Sequence, residues 1–385
     1  MSRQTSEEDN KKALKVQLLA PENDDNLKQS THSSTQYTNS DSAAAPTDAR
    51  DIVKKSFLER LFSGYYIFFA CLSALFFGTF NFIQDGFVKE SMSLRVMYLA
   101  GVGCIAYFLI FHIYASINLK NSKGHFWSKQ DSAYFKEDGS IDWLLVKIIL
   151  SRSLFSIMLI ALIYAVMYTS KLSAISSSVI ISLYAGNVLT TSFAFNLVFN
   201  ERLSAKHLFG MISIIVSIVF ISFGKSSKQD STDTDSSLTQ DDRMSILIPI
   251  CLAIIACLTI TSQSIVTRLV RRTKITSAQY TADSQFLSNG LLCIMAVYEH
   301  NWVEPYETTQ MWILIANSFL QIVGLLCLNG AIIFGKAGPC QALIQMQSPI
   351  QLAFEILILM LVPNGYALIG MLISIIGAII IIFGK

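Results

Sequence analysis

The residues that could do chemistry in this sequence are polar side chains set inside long apolar runs. Arg152 lies eight residues into one such run, and Asp283 lies at a comparable depth in another. An ionisable group inside hydrocarbon costs roughly 2.5 to 3.5 kcal/mol for arginine at a helix centre, so it normally faces the interior of a helix bundle. Arg152 and Asp283 are therefore expected either to pair or to line a vestibule jointly. In a third interpretation, Arg152 extends along its stem to the lipid head groups.

The run from Pro339 to Val362 carries a polar face. With 100° per residue, six of its polar residues fall within a sector of about 160°. They are Gln341, Gln345, Gln347, Ser348, Gln351 and Glu355. Pro349 removes a backbone donor in the same run, which can expose carbonyl groups to a cavity. The face has two interpretations, the lining of a cavity or a polar seam between helices, because amides and hydroxyls also hold membrane helices together.

Two further stripes of amides and hydroxyls occur in other apolar runs, one around Asn187 and one around Asn317. Without a dense cluster of charge, such groups suit an uncharged or zwitterionic small solute, or an anion held by Arg152 alone. They do not suit a metal ion, because no carboxylate cage is visible. The predicted substrate-binding residues are Arg152, Tyr184, Asn187, Thr191, Asn317, Gln321, Gln345, Ser348, Gln351 and Glu355, with Asp283 as a vestibule partner of Arg152.

The composition indicates the elements that must position these residues. Of 385 residues 52% are hydrophobic and only 15% are charged, and the mean hydropathy is +0.48. About ten apolar runs are each long enough to cross a hydrocarbon layer roughly 30 Å thick. Lipid forces each span to satisfy its own backbone, so the fold class is an all-α membrane protein with ten transmembrane helices. A net charge of +2 gives no reason to expect nucleic acid as a partner.

The ten spans separate into two sets of five. The first set is predicted at 61–83, 96–118, 144–167, 174–198 and 206–223, and the second at 245–266, 277–298, 311–334, 339–362 and 366–383. The polar segment 1–52 precedes them as a tail expected to be disordered, and a polar linker at 226–243 separates the sets.

The last span of the first set resembles the last span of the second. At an offset of 160 residues eight identities occur in eighteen positions, and they include Gly210-Met211 with Gly370-Met371. Internal similarity of this kind indicates two copies of one unit. Since five is odd, the second copy must enter the membrane from the opposite side, which predicts an inverted repeat.

The basic residues near the span ends predict the orientation. With the N-terminus in the cytoplasm, sixteen Lys and Arg residues fall on the cytoplasmic side and six on the other. This distribution follows the rule that cytoplasmic loops are basic, so both termini are expected in the cytoplasm. The sequence leaves open whether the membrane is the plasma membrane or an internal one.

Catalytic signatures are missing from the sequence, so no enzyme activity is expected. His112 lies inside a span, and its place near the end of that span favours an interfacial role over a catalytic one. The seven cysteines are scattered and indicate neither a zinc site nor a disulfide framework. No cofactor or metal is expected.

Several motifs resemble those of a known transporter family. They are Leu150-Ser151-Arg152-Ser153, Tyr164, Asn200-Glu201-Arg202-Leu203-Ser204, Gly210, Lys336-Ala337-Gly338-Pro339, Ser348-Pro349 and a weaker match at Gly78 to Phe82. With the ten-helix repeat, the chain resembles the EamA-like branch of the drug/metabolite transporter superfamily over residues 61 to 385. The Lys-Ala-Gly-Pro motif is similar to the G-type subgroup of solute carrier family 35. The repeats would then be the EamA-like units 53–225 and 244–385.

The resemblance implies a central cavity formed by spans 1, 3, 4, 6, 8 and 9, and alternating access by rocking of the two halves. The chain departs from the family pattern in two places. Ala185-Gly186 stands near where the first copy should have Ser-Pro, and Val362-Pro363-Asn364 replaces the acidic Asn-Glu-Arg motif in the second copy. Nucleotide-sugar and triose-phosphate signatures are not found.

The expected function is secondary-active transport of a small organic solute by alternating access. The alternative is a membrane sensor or scaffold that binds without turnover. The expected partners are the solute and the lipid bilayer, with a homodimer as a further alternative.

Overall fold

The computed structural model describes residues 65–88, 94–172, 184–201, 203–229, 247–360 and 364–383. The tail 1–52, linker positions 230–243, Ser176 to Ser178 and the motif residue Arg202 lie outside these ranges.

The described residues form helices and no named strand. In chain order they are α1 Tyr66–Phe87, α2 Leu94–Leu99, α3 Val102–Lys123, α4 Trp143–Leu172, α5 Asn187–Phe199, α6 Ala205–Gln229, α7 Leu247–Leu269, α8 Ser277–Tyr298, α9 Thr308–Phe334, α10 Ala337–Ile344, α11 Gln347–Leu359 and α12 Gly365–Phe383. The all-α prediction is therefore confirmed.

Seven segments of the described chain are long and apolar enough to cross a membrane. They are Tyr66–Phe87, Arg95–Lys123, Trp143–Val166, Leu247–Arg272, Thr308–Phe334, Ala337–Leu359 and Gly365–Phe383, and Ala205–Ile221 is a shorter apolar helix. Their outward side chains form an apolar surface, with Leu154, Leu372 and Phe383 exposed. A surface of this kind is typical of contact with lipid, so the chain is a membrane protein with several spans.

Helix α8 has the predicted bounds 277–298 but is not among the seven. Asp283, Gln285 and Asn289 are buried within it, and these polar residues lower its hydropathy. The helix packs against α3, α4 and α9, so its polar groups face protein. At its N-terminus the Thr276 side chain accepts a hydrogen bond from the N–H of Gln279, which explains why the helix begins there.

Predicted span nine is an interrupted helix, and predicted span four is described only from Tyr184 onward. A 3₁₀ turn at Tyr184–Gly186 precedes α5, and Gln345 and Met346 separate α10 from α11. Helices α5 and α11 each have 13 residues. Asn200 and Met360 follow them with φ of 53°, and they are the two positive-φ non-glycine residues of the described chain.

Helices α6 and α12 approach each other closely through glycines. A Cβ on Gly370 would lie 2.6 Å from the carbonyl oxygen of Ser217, and one on Gly210 would lie 2.8 Å from that of Gly377. Small residues at such a crossing let two membrane helices pack at short range. The main core lies beside this crossing and includes Val188, Met211 and Leu343.

We expect Gly370→Ala to destabilise the protein, because the added methyl group meets backbone on α6. The cost of such overpacking is about 1 to 3 kcal/mol, which a thermal unfolding midpoint measured in detergent would report. Gly365→Ala on the same helix is the matched control, because nothing lies within 4 Å of its Cβ position. Equal midpoints for the two variants would contradict the close crossing.

Candidate functional site

A cavity of about 190 Å³ lies between the starts of α5 and α11 and their neighbours. Its nine lining residues are Leu159, Ile163, Tyr184, Asn187, Ile218, Ile260, Gln345, Gln347 and Ser348. None of the nine is charged, and four are aliphatic. An apolar cavity of about 150 Å³ holds benzene, so this one has room for a small organic molecule.

Polar groups enter the cavity where α5 and α11 begin. Asn187 begins α5, and Gln347 and Ser348 begin α11. The Gln345 amide nitrogen donates to Asn187 Oδ1 at 3.3 Å, which joins the starts of the two helices. The Tyr184 hydroxyl is buried without a hydrogen-bond partner among the described residues. These hydroxyl and amide groups could bind a neutral polar solute.

Four of the predicted binding residues line this cavity together: Tyr184, Asn187, Gln345 and Ser348. Sequence reasoning placed Gln347 on the polar face but did not select it as a site residue. It missed the aliphatic wall entirely, since no sequence signal distinguishes Ile260 from the many isoleucines that face lipid.

Other predicted binding residues form seams between helices. Thr191 is buried, and its hydroxyl lies 3.2 Å from that of Thr261 on α7. The Asn317 amide donates to the carbonyl of Phe80 on α1 at 2.9 Å. None of Thr191, Asn317 and Gln321 lines the cavity, although Asn317 Oδ1 and Gln321 Oε1 are buried without partners.

The polar face of α11 serves both purposes proposed for it. Gln345, Gln347 and Ser348 line the cavity. One turn further on, Gln351 Nε2 donates to Asp85 Oδ2 and Glu355 Oε1, each at 2.8 Å. The part of this face beyond Ser348 is therefore a seam to α1.

The expected pairing of Arg152 with Asp283 is wrong for this structure, because Asp283 has other partners. His112 Nε2 lies 2.6 Å from one oxygen of its carboxylate, and the Tyr134 hydroxyl donates to the other at 2.6 Å. Tyr134 belongs to the polar loop between α3 and α4. Burial and the adjacent Asp283 carboxylate raise the pKa of the Tyr134 phenol, so it remains a donor.

Arg152 does not extend to the lipid head groups, because it is 5% exposed. Its guanidinium lies beside the Tyr280 hydroxyl on α8. The Nε and Nη1 atoms are buried without hydrogen-bond partners. Arg152 is therefore a buried cation outside the cavity lining, and no ion pair in the described part of the chain includes it.

A second arginine, at the end of α7, is largely shielded from solvent and has partners for both of its terminal nitrogens. Arg268 Nη1 donates to the carbonyl oxygens of Ile333 at 2.8 Å and Gly335 at 2.6 Å, where α9 ends. Its Nη2 pairs with Glu201, and the other Glu201 oxygen accepts from the Ala337 N–H at 3.2 Å, where α10 begins. Burial raises the pKa of Glu201, while Arg268 and the Ala337 N–H act in the opposite direction. The pair joins the ends of four helices.

Another ion pair lies beyond the opposite end of α8. Arg95 on α2 pairs with Glu304 and donates to the carbonyl oxygen of Pro305 at 2.6 Å. Its guanidinium stacks on the Tyr306 ring, 4.7 Å from the centroid. The 22 residues of α8 correspond to about 33 Å of helix, so the two ion pairs are separated by the thickness of the bundle.

No family model and no curated protein matches the chain. A solved structure described only as "Crystal structure of protein" is similar to it, with a TM-score of 0.56 and 12% sequence identity. The similarity covers 83% of this chain and 99% of the other. At this identity it concerns the fold alone.

We expect Glu201→Ala to lower the free energy of unfolding by about 3 kcal/mol, because it leaves a buried arginine without its counter-charge. The measurement is thermal unfolding in detergent. Glu137→Ala is the control, because Glu137 pairs with Lys274 at an exposed site, where ion pairs contribute little. A Glu201→Ala midpoint as high as that of Glu137→Ala would refute the structural role of the buried pair.

Proposed function

We propose that this chain is a secondary-active carrier that moves a small organic solute by alternating access. The cavity is the observation that carries the proposal. Its walls come from α4, α5, α6 and α7 and from the chain around the start of α11, so both halves of the sequence contribute to it. A solute site at the meeting of two halves is typical of secondary transporters.

We further propose that the two halves form a ten-helix inverted repeat. At the offset of 160 residues found in the sequence, α5 (Asn187–Phe199) corresponds residue for residue to α11 (Gln347–Leu359). Asn200 corresponds to Met360, and both have left-handed backbone. Their N–H groups bond to the carbonyls of Phe195 and Glu355, which also differ by 160. Equal backbone geometry in dissimilar sequences supports two copies of one unit.

The crossing of α6 and α12 supports the inversion. Gly210 meets Gly377 and Ile381, and the equivalent Gly370 meets Ser217 and Ile221. Each contact is thus repeated with the two copies exchanged. Because the first part of each helix meets the later part of the other, the helices run antiparallel. A twofold axis perpendicular to both helices would relate them, and such an axis lies in the membrane plane if they span the bilayer.

The family proposed from the sequence is the EamA-like branch of the drug/metabolite transporter superfamily, with similarity to the G-type subgroup of solute carrier family 35. The helix contacts are compatible with a repeat of that type. Helix α1 packs on α9 and α7 packs on α4, which are equivalent pairs if α1 corresponds to α7 and α4 to α9.

The two ion pairs are suited to act as gates. Glu201–Arg268 connects the first half to the second at one end of α8, and Arg95–Glu304 connects them at the other end. In alternating access one connection must open while the other holds, because the cavity opens to one side at a time. The basic residues place the Arg268 end in the cytoplasm together with both termini.

The inverted repeat requires the two ends of α8 to lie on opposite sides of the membrane. Cysteines introduced as Lys274→Cys and Trp302→Cys are both at exposed positions. In sealed vesicles we expect an impermeant maleimide to label one of them from outside and the other only after permeabilisation, with the parent chain as background. Labelling of both from the same side would remove the inverted repeat and the carrier proposal with it.

Filling the cavity should stop transport without unfolding the protein. We expect Ser348→Trp to reduce uptake into proteoliposomes at least tenfold, because the indole occupies the space of the solute. Leu357→Trp is the control, since Leu357 lies on the same helix and is 69% exposed. Uptake is measured with a broad panel of radiolabelled metabolites. If the folded parent chain takes up no solute of any class, the sensor or scaffold alternative replaces the carrier.

A further inference from the structure

Several unpartnered hydrogen-bond donors lie around Arg152, outside the lining of the neutral cavity. Arg152 Nε and Nη1, the Gln263 amide nitrogen and the Ser284 hydroxyl are all buried without a hydrogen-bond partner among the described residues. Buried polar groups are normally satisfied, so each of these atoms requires an explanation.

These donors belong to one region of the bundle. Ser284 lies one turn after Tyr280 on α8, and its carbonyl accepts from the hydroxyl of Ser153, the residue next to Arg152, at 2.8 Å. Gln263 lies one turn before Thr267 on α7, whose hydroxyl is 3.0 Å from that of Tyr280. Helices α4, α7 and α8 thus each carry an unpartnered donor within about one helical turn of the contacts made by Ser153, Tyr280 and Thr267.

Among the described residues, no carboxylate forms an ion pair with the positive charge of Arg152. Asp283 is the acidic residue closest to Tyr280 along α8, but His112 and Tyr134 occupy its two oxygens. A buried guanidinium is stable only when an anion or several acceptors complete its hydrogen bonds. Carboxylate and phosphate oxygens fit its planar fork and can accept from neighbouring hydroxyl and amide donors at the same time.

Arg152 shares a helix face with the cavity. Leu159 and Ile163 line the cavity, and they follow Arg152 by seven and eleven residues, which places all three on one stripe of α4. The first interval corresponds to about 10 Å along the helix. On α7, Ile260 at the cavity and Thr267 beside Tyr280 have the same interval of seven. A solute could move between the two places along these faces.

We propose that Arg152 binds the carboxylate or phosphate group of a small organic anion, and that such an anion is the class of solute carried. The inference rests on the proposed transport function. Gln263, Ser284 and Tyr280 complete the anion site, and the neutral cavity receives the uncharged part of the molecule.

The first test compares an anion with its neutral isostere in detergent. Benzoate and benzamide have equal size, so their difference in binding, measured by thermal shift and calorimetry, reports the carboxylate. We expect benzoate to bind the parent chain and benzamide to bind at least tenfold more weakly. Inorganic phosphate should compete with benzoate. Equal binding of the two ring compounds, or an equal effect of sodium chloride, would overturn the proposal.

Arginine variants assign the effect to one residue. We expect Arg152→Gln to weaken benzoate binding at least tenfold and Arg152→Lys to retain part of it, because lysine keeps the charge but not the planar fork. Arg271→Gln is the control, because Arg271 is an exposed arginine just beyond the C-terminal end of α7. Benzoate binding by Arg152→Gln as tight as that of the parent would overturn the assignment.

Stability without ligand separates an anion site from a structural arginine. If Arg152 awaits a ligand anion, Arg152→Met should unfold at the same temperature as the parent or higher, since it removes an uncompensated charge. A structural partner of Asp283 would behave differently. In that case Arg152→Gln and Asp283→Asn would each destabilise the protein and the double variant would recover, as a double-mutant cycle would show. That result would overturn the proposal.

Transport measurements distinguish failure of this inference from failure of the carrier proposal. Uptake of neutral solutes but of no anion, unchanged by Arg152→Gln, would refute the anion site and leave the carrier. Benzoate binding that depends on Arg152, without uptake of any solute, would support the anion site and refute the carrier.

Discussion

Hydrocarbon offers a backbone no hydrogen bonds, so every interruption of a helix within the bundle must be satisfied by protein. Arg268 meets this constraint where α9 ends, because its guanidinium takes the carbonyls that helix leaves free. Glu201 does the same for the N–H of Ala337 at the start of α10. One ion pair thus satisfies two helix ends and joins the halves of the chain. Helix α10, which leads to Gln345 at the cavity, begins at this pair.

The backbone at the C-terminal ends of α5 and α11 follows the fold rather than the residue type. Asparagine adopts left-handed backbone readily, so Asn200 needs no special explanation. Methionine does not, and the same conformation at Met360 costs roughly 1 to 2 kcal/mol. Both residues nevertheless have φ of 53°. The connection from a 13-residue helix into a closely packed neighbour must therefore impose the conformation, and tight packing of α12 on α6 provides the means.

The sequence predicted helices well and contacts poorly. The apolar run was enough to place α8 at 277–298, and the identities between the last spans of the two sets indicated the offset of 160 that α5 and α11 share. A helical wheel gives only the direction of a side chain, so it could not distinguish Gln345 in the cavity from Gln351 in a seam. The helical wheel could not show that Asp283 would bind Tyr134 instead of Arg152, because Tyr134 comes from a loop whose path no sequence pattern indicates.

The neutral cavity and the buried Arg152 guanidinium lie two helical turns apart. The shape and the charge of a solute would therefore be recognised at different places. Amides and hydroxyls both donate and accept, so Asn187, Gln345 and Ser348 select no sign of charge. An arginine within the cavity would select anions, but it would also hold them firmly, and a carrier must release its solute on each cycle. In the proposed anion site, hydroxyl and amide donors would share the anion with the guanidinium, which lies beside Tyr280 in this structure. Selectivity for charge is then compatible with release.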